Sequence, residues 1–198
     1  ESFREKMGYQ PILLGAFALL ASGALAWASN ATGAAIAAAE AKDLRDSLSE
    51  VLPQGMADND FLKDTIELDN KGKTITIYRA RQGGVVRAAL FKVAERGYAA
   101  DIQVLMAVDS EGRTLGVRVL KHAETPGLGD KIEVRKDKWI TDFDGKSLGD
   151  PAPEKWGVKK DSGVFDQFAG ATITPRAVVK AVKGGLEFFA AHKLEITG

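Results

Sequence analysis

A hydroxyl, a glycine turn and a helix start fall side by side in the stretch Gly170-Ala171-Thr172-Ile173-Thr174-Pro175. Thr174 has the side chain of a helix N-cap and Pro175 suits the first helical position, so backbone N–H groups at the helix start are free to point at an anion. Thr172 lies just upstream of that anion site. Its hydroxyl either hydrogen-bonds a phosphate or is the atom to which a phosphate is covalently joined. A plain helix cap that needs Gly170 for its turn is the competing reading, and these residues alone leave all three open. Ala171 beside Gly170 keeps the backbone accessible to a bulky group, and Arg176 or Lys180 can meet residual anionic charge.

A second stretch, His122-Ala123-Glu124-Thr125-Pro126-Gly127-Leu128-Gly129-Asp130, is stiffened by Pro126 and opened by two glycines around a single apolar side chain. Read from its residues, it is a tight turn at the end of a strand, or a loop that offers backbone N–H and C=O groups to a ligand. His122 and His192 are the only histidines and there is no cysteine. Disulfides, thiolate zinc sites and ordinary iron–sulfur clusters are therefore excluded, and any redox role must rest on an organic cofactor.

The run Asp166-x-x-Ala169-Gly170-Ala171-Thr172 resembles the Asp-x-x-(Ser/Thr)-Gly-Ala-Thr signature of FMN-binding domains in which a flavin transferase joins FMN to the last Thr through a phosphoester. Ala169 departs from that signature at a position that is not the attachment point. The His122–Asp130 stretch resembles the same family. With an N-terminal apolar segment, the two make the chain similar to the G subunits of Rnf ion-translocating electron-transport complexes, whose relatives include the C subunit of the sodium-pumping NADH:quinone reductase. The resemblance implies covalent FMN on Thr172, with Asp166, Gly170, Ala171, Thr174 and Arg176 around the attachment. It carries flavin contacts onto Glu124, Thr125, Gly127, Leu128 and Gly129. His122 is then either a proton donor to reduced flavin or a structural residue at a strand end, and Trp139, Trp156 and Phe168 either shield the ring or belong to the core.

The elements that must hold these residues are legible in outline. No charged side chain occurs in residues 7–39, and residues 11–28 are almost wholly apolar, about the length a bilayer-spanning helix needs. Arg4, Lys6 and Ala26-x-Ala28 also fit a cleavable signal peptide. Gly15, Ser22, Gly23 and Ala24 give the segment small faces that permit close helix approach in a membrane. Leu44, Leu48 and Leu52 recur at helical spacing, which continues the helix beyond the apolar run without a flexible linker, until Pro53-Gln54-Gly55 ends it. Residues 73–80, 85–94, 99–108 and 114–121 read as strands with short breaks, hence as an antiparallel meander. Residues 131–158 carry little regular pattern. Val178, Val179, Val182, Leu186 and Phe189 mark one face of a final helix that Gly184-Gly185 weakens by roughly 1 kcal/mol per residue.

The expected class is α+β: an N-terminal transmembrane helix within residues 1–38, then an FMN-binding domain over residues 39–198 with an antiparallel sheet packed by helices. At 198 residues and 45% hydrophobic content the chain holds one span and one domain. The 27 basic and 27 acidic side chains cancel, so no global field attracts nucleic acid, and no nucleic-acid partner is expected. Basic residues flank both ends of the span (Arg4 and Lys6, then Lys42 and Arg45), and this tie leaves orientation open. The resemblance implies a single-pass protein of the bacterial inner membrane, with its N-terminus cytoplasmic and its flavin domain periplasmic. It also implies the other membrane and redox subunits of the Rnf complex, a flavin transferase and the lipid bilayer as partners. Two further classes stand beside it. One is a non-redox assembly module; the other is a hydrolase using Thr172 or Ser162 with His122, for which no Gly-x-Ser-x-Gly elbow is present.

Overall fold

The computed structural model describes residues 9–70 and 72–198. Arg4 and Lys6, the basic residues preceding the apolar run, lie outside the described residues. The chain divides into two compact units, Glu1–Leu44 and Arg45–Gly198.

Helix α1 (Tyr9–Val51) is 43 residues long. Its stretch Gln10–Gly33 is long and apolar enough to cross a membrane and exposes Leu14, Phe17, Leu19, Leu20, Leu25 and Trp27. A soluble core helix would bury such side chains. In the second unit the last turns of α1 change character: Leu48 and Val51 are buried, as their helical spacing requires.

Five antiparallel strands in the order β1-β2-β3-β4-β5 form one sheet: β1 (Thr65–Asn70), β2 (Lys73–Gln82), β3 (Val85–Arg96), β4 (Asp101–Asp109) and β5 (Thr114–Lys121). Four match the sequence reading to within two residues at most ends. The short edge strand β1 went unread, although Ile66 and Leu68 alternate with exposed Thr65, Glu67 and Asp69. The meander follows from its tight turns, since strands joined so briefly can only pair antiparallel.

Helix α2 (Ile173–Ala191) lies across β3 and β4, and the short α3 (Lys193–Thr197) follows it. The expected face of α2 is the buried one: Val178, Val179, Val182, Leu186 and Phe189 pack with Phe91, Val104 and Met106 of the sheet. Gly184-Gly185 does not break the helix. A Cβ at Gly185 would sit 2.3 Å from Met106 Sδ, so close helix-to-sheet approach explains a residue that propensity alone disfavours.

Residues 130–165 are not extended, but they are ordered by packing. Four 3₁₀ turns (Asp130–Ile132, Lys138–Phe143, Pro153–Lys155, Lys159–Asp161) alternate with irregular segments, and the turns and segments together carry aromatic side chains inward. Trp139, Phe143, Trp156, Phe165 and Phe168 are all buried. Phe143 stacks on Phe165 with ring centroids 4.4 Å apart, and Trp139 meets Phe168 edge-on at 5.1 Å. Trp139, Trp156 and Phe168 are thus core residues.

Candidate functional site

Two glycine turns face one another across a cleft. In the first, the Leu128 N–H donates to the Thr125 carbonyl at 3.1 Å, with Pro126 and then Gly127 (φ +78) between them. In the second, the Ala171 N–H donates to the Phe168 carbonyl at 3.2 Å around Gly170 (φ +78). Both have the type II signature, in which the third position needs a positive φ that glycine adopts without strain. The turns nearly touch, since a Cβ at Gly170 would lie 3.6 Å from Leu128 Cδ2.

Helix α2 begins immediately after the second turn, two residues earlier than its sequence suggests. Thr172 occupies the N-cap position with φ −73 and makes no side-chain cap hydrogen bond. Its hydroxyl is left at the cleft, half-buried. Thr174 lies inside the first turn, buried, and its hydroxyl donates to Glu124 Oε2 instead of capping the helix. That corrects the expected cap. The first-turn N–H groups of Ile173 and Thr174 precede any intrahelical acceptor and remain available at the cleft end of α2.

Glu124 is the residue that ties the walls together. Its carboxylate is buried, and Oε1 accepts the Tyr98 N–H at 3.0 Å and the Ala99 N–H at 3.3 Å while Oε2 accepts Thr174. Gly97 and Gly129 make room for it: a Cβ would fall 2.5 Å from Oε1 at Gly97 and 2.9 Å from Glu124 Cβ at Gly129. One carboxylate thus joins the β3–β4 turn, the Pro-Gly-Leu-Gly loop and the start of α2.

The loop has a second anchor in Asp130, which accepts the Gly127 N–H at 2.8 Å and the Lys136 ammonium at 2.7 Å. The Lys136 hydrogen bond, then the Gly127 N–H, hold this carboxyl below the usual carboxylate range. A lowered folded-state value stabilises the fold above the unfolded value of about 3.9 and loses that contribution as pH falls through the folded value. The Gly127 amide is therefore expected to stay protected from hydrogen exchange down to pH about 4 and to lose protection only below it. Loss of protection already at pH about 6 would remove Asp130 from this role.

The cleft encloses about 660 Å³ and is lined by Tyr98, Glu124, Thr125, Leu128, Gly129, Lys160, Gly170–Thr174 and Arg176. Ten of the expected site residues either line it or shape its walls. Arg176 is committed to Asp161 through two bonds of 2.6 Å, whereas the Lys160 ammonium has no ion-pair partner among the described residues. Lys180 pairs with Glu95 at 2.9 Å and lines a different groove.

Two expected residues stand elsewhere. Asp166 is exposed, pairs with Lys159 at 2.6 Å, and borders a separate depression with Trp139 and Phe168. His122 lines another cleft with Arg118 and Glu133. Its Nδ1 accepts the Glu124 N–H at 3.1 Å, which places the proton of the neutral ring on Nε2, 3.0 Å from Glu133 Oε1. Lys136 holds Glu133 below the usual range, against partial burial and with His122 adding to the effect. With His122 and Thr172 in different clefts, the nucleophile and base of a hydrolase are not brought together.

Sequence reasoning passed over Tyr98 and Lys160. A faint signal existed for each: an aromatic ring set between Gly97 and Ala99-Ala100 in a hairpin turn, and the Lys159-Lys160 pair upstream of the Gly-Ala-Thr turn.

The sequence pattern of the FMN-binding domain family matches residues 97–187, which include both glycine turns, Tyr98 and most of α2. The G subunit of the ion-translocating oxidoreductase complex of Cereibacter sphaeroides (strain ATCC 17023) is 50% identical over 186 residues, covering 93% of this chain and 85% of that one. The protein of the same name from Stutzerimonas stutzeri is 48% identical over 191 residues, covering 96% and 84%. Among solved structures, NqrC of Shewanella oneidensis has the same fold, with a TM-score of 0.50 at 24% identity over 72% of each chain. The chain belongs to the family of G subunits of ion-translocating oxidoreductase complexes, and it contains an FMN-binding domain.

Proposed function

We propose that this chain is a membrane-anchored electron-transfer subunit carrying FMN as a phosphoester on Thr172, within an ion-translocating ferredoxin/NADH oxidoreductase (Rnf) complex. The observation that carries the attachment is the Thr172 hydroxyl, half-buried at the cleft and free of the cap bond its position would normally make.

The residues present fit the group. A cleft of about 660 Å³ lies in the range of small-molecule sites. Of the large apolar side chains the domain exposes, Tyr98 (67%), Leu128 (43%) and Ile173 (48%) line this one cleft, as an uncharged ring system requires. Lys160, which lines the cleft and has no ion-pair partner among the described residues, and the N–H groups opening α2 supply positive potential for a phosphate. Lys160 is better placed for that than Arg176, whose guanidinium is already satisfied by Asp161. When bound, FMN supplies reversible electron transfer through its isoalloxazine ring.

Attachment asks little chemistry of the chain itself. The Thr172 oxygen would take the FMN phosphoryl group from a phosphoanhydride of FMN held by a flavin transferase. The new O–P bond would form as the anhydride P–O bond breaks, the other phosphate half would leave, and the hydroxyl proton would pass to the transferase. Gly170 and Ala171 clear the approach. Glu124 and Asp130 fasten the walls, so that the turns need not be ordered on binding.

We assign the chain to the bacterial inner membrane as a single-pass protein with its N-terminus cytoplasmic and its flavin domain periplasmic. The chain has no cysteine, so cysteines introduced singly at Asp69 and Gly198 are unique labels. Both are expected to react with a membrane-impermeant thiol reagent applied to spheroplasts. Labelling only after lysis would reverse the topology.

The cofactor proposal is tested by co-producing the full chain with a flavin transferase, denaturing it and illuminating the gel with ultraviolet light. A fluorescent band at the chain's mass is expected. A dark band would favour an assembly module with the same fold and no flavin.

A further inference from the structure

Tyr98 is 67% exposed, whereas solvent-facing turns are ordinarily made of Gly, Asn, Asp and Ser. Yet the N–H groups of three successive residues of its turn are all hydrogen-bonded. The Gly97 N–H donates to the Ala100 carbonyl at 2.9 Å, closing the β3–β4 turn. The N–H groups of Tyr98 and Ala99 both end on the buried Glu124 carboxylate. That carboxylate is held in turn by Thr174 in the first turn of α2, two residues beyond Thr172. Substitution at Gly97 is blocked by Glu124 and by Ile102, whose side chain lies 2.8 Å from where a Cβ would stand. A rigid mount thus presents an aromatic ring to the cleft that holds the Thr172 hydroxyl, in company with Leu128 and Ile173.

We propose that Tyr98 is an aromatic contact of the flavin ring, presented by the turn whose N–H groups end on Glu124. The inference rests on FMN being attached at Thr172 and goes beyond that reading by naming the side chain against which the ring packs. Aromatic rings associate through offset-stacked or edge-on contacts, and an exposed tyrosine on a rigid turn loses little conformational freedom in making one. Tyr98 also carries a phenol, which donates an electron to a photoexcited flavin in van der Waals contact and quenches its fluorescence. Phenylalanine does not.

The test is the flavin fluorescence lifetime of the full chain, co-produced with a flavin transferase, in wild type and in Tyr98→Phe, Tyr98→Ala and Tyr78→Phe. Mass spectrometry of each protein reads attachment separately. Tyr78 lies on β2 and does not line the cleft, so Tyr78→Phe serves as the control. The expected result is FMN on Thr172 in all four proteins, a short lifetime in wild type and Tyr78→Phe, and a several-fold longer one in Tyr98→Phe and Tyr98→Ala. FMN on Thr172 with an unchanged lifetime in both Tyr98 variants would overturn the role of Tyr98 alone. Wild-type protein without FMN on Thr172 would overturn the attachment, and this inference with it.

Discussion

Thr172→Ala is expected to abolish all flavin that survives denaturation while leaving the fold in place. The effect on loading is complete because, among the described residues, no other aliphatic hydroxyl is presented to the cleft in the same way: Thr174 is buried and bonded to Glu124, and Thr125 stands on the opposite turn, while the remaining hydroxyl is the Tyr98 phenol on the β3–β4 turn. The effect on stability is small. Thr172 is half-buried and makes no cap hydrogen bond, so its removal is expected to cost less than about 1 kcal/mol. Thr172→Ser keeps the oxygen but loses the methyl group that restrains χ1, and slower or partial modification is expected. The check is in-gel flavin fluorescence beside a far-ultraviolet circular dichroism spectrum. A fluorescent Thr172→Ala band with a native spectrum would move the attachment to another residue.

Much of this site was legible because its chemistry is local. Each glycine turn is specified by adjacent residues, and the positive φ at Gly127 and Gly170 follows from Pro126-Gly127 and from Gly170 itself. The strands β2 to β5 and the buried face of α2 followed from periodicity for the same reason. What escaped depends on contacts between distant parts of the chain. Thr174 and Pro175 look like a cap and a first helical residue, yet Glu124, fifty positions upstream, takes the Thr174 hydroxyl and the helix opens at Ile173. His122 and Asp166 belong to the two recognised stretches but face other depressions, because each sits where its stretch has turned away from the cleft. Tyr98 and Lys160 arrive from a hairpin turn and a 3₁₀ turn that carry no ligand signature of their own. Residues 131–158 showed little regular pattern because their order comes from interlocking aromatic rings rather than from a repeating backbone hydrogen-bond pattern.

Glu124→Ala is the second substitution expected to have a large effect, and here the effect falls on stability. It strips the acceptor from the Tyr98 and Ala99 N–H groups and from the Thr174 hydroxyl. Leaving the buried Thr174 hydroxyl without a partner costs about 1–3 kcal/mol, and the two part-buried N–H groups each lose a hydrogen bond worth about 0.5–1.5 kcal/mol. The loss is therefore expected to reach about 3 kcal/mol, a large share of a typical domain's stability. Thr174→Ala removes only one donor to that carboxylate and is expected to cost about 1–3 kcal/mol. Glu124→Gln keeps an oxygen for the two N–H groups and should fall between wild type and Glu124→Ala. Guanidinium unfolding of the full chain in detergent, followed by the fluorescence of buried Trp139 and Trp156, gives the ranking. A Glu124→Ala midpoint equal to wild type would mean that the carboxylate does not hold the cleft walls together.

The attachment itself is read most directly by mass spectrometry of the tryptic peptide 161–176 from the chain co-produced with a flavin transferase. That peptide contains Thr172 and Thr174 as its only threonines and Ser162 as its only serine, so fragmentation assigns the modified oxygen without ambiguity. The expected result is the mass of an FMN phosphoester, localised to Thr172, with Thr174 and Ser162 unmodified. An unmodified peptide, or FMN on Thr174 with Thr172 free, would contradict the account.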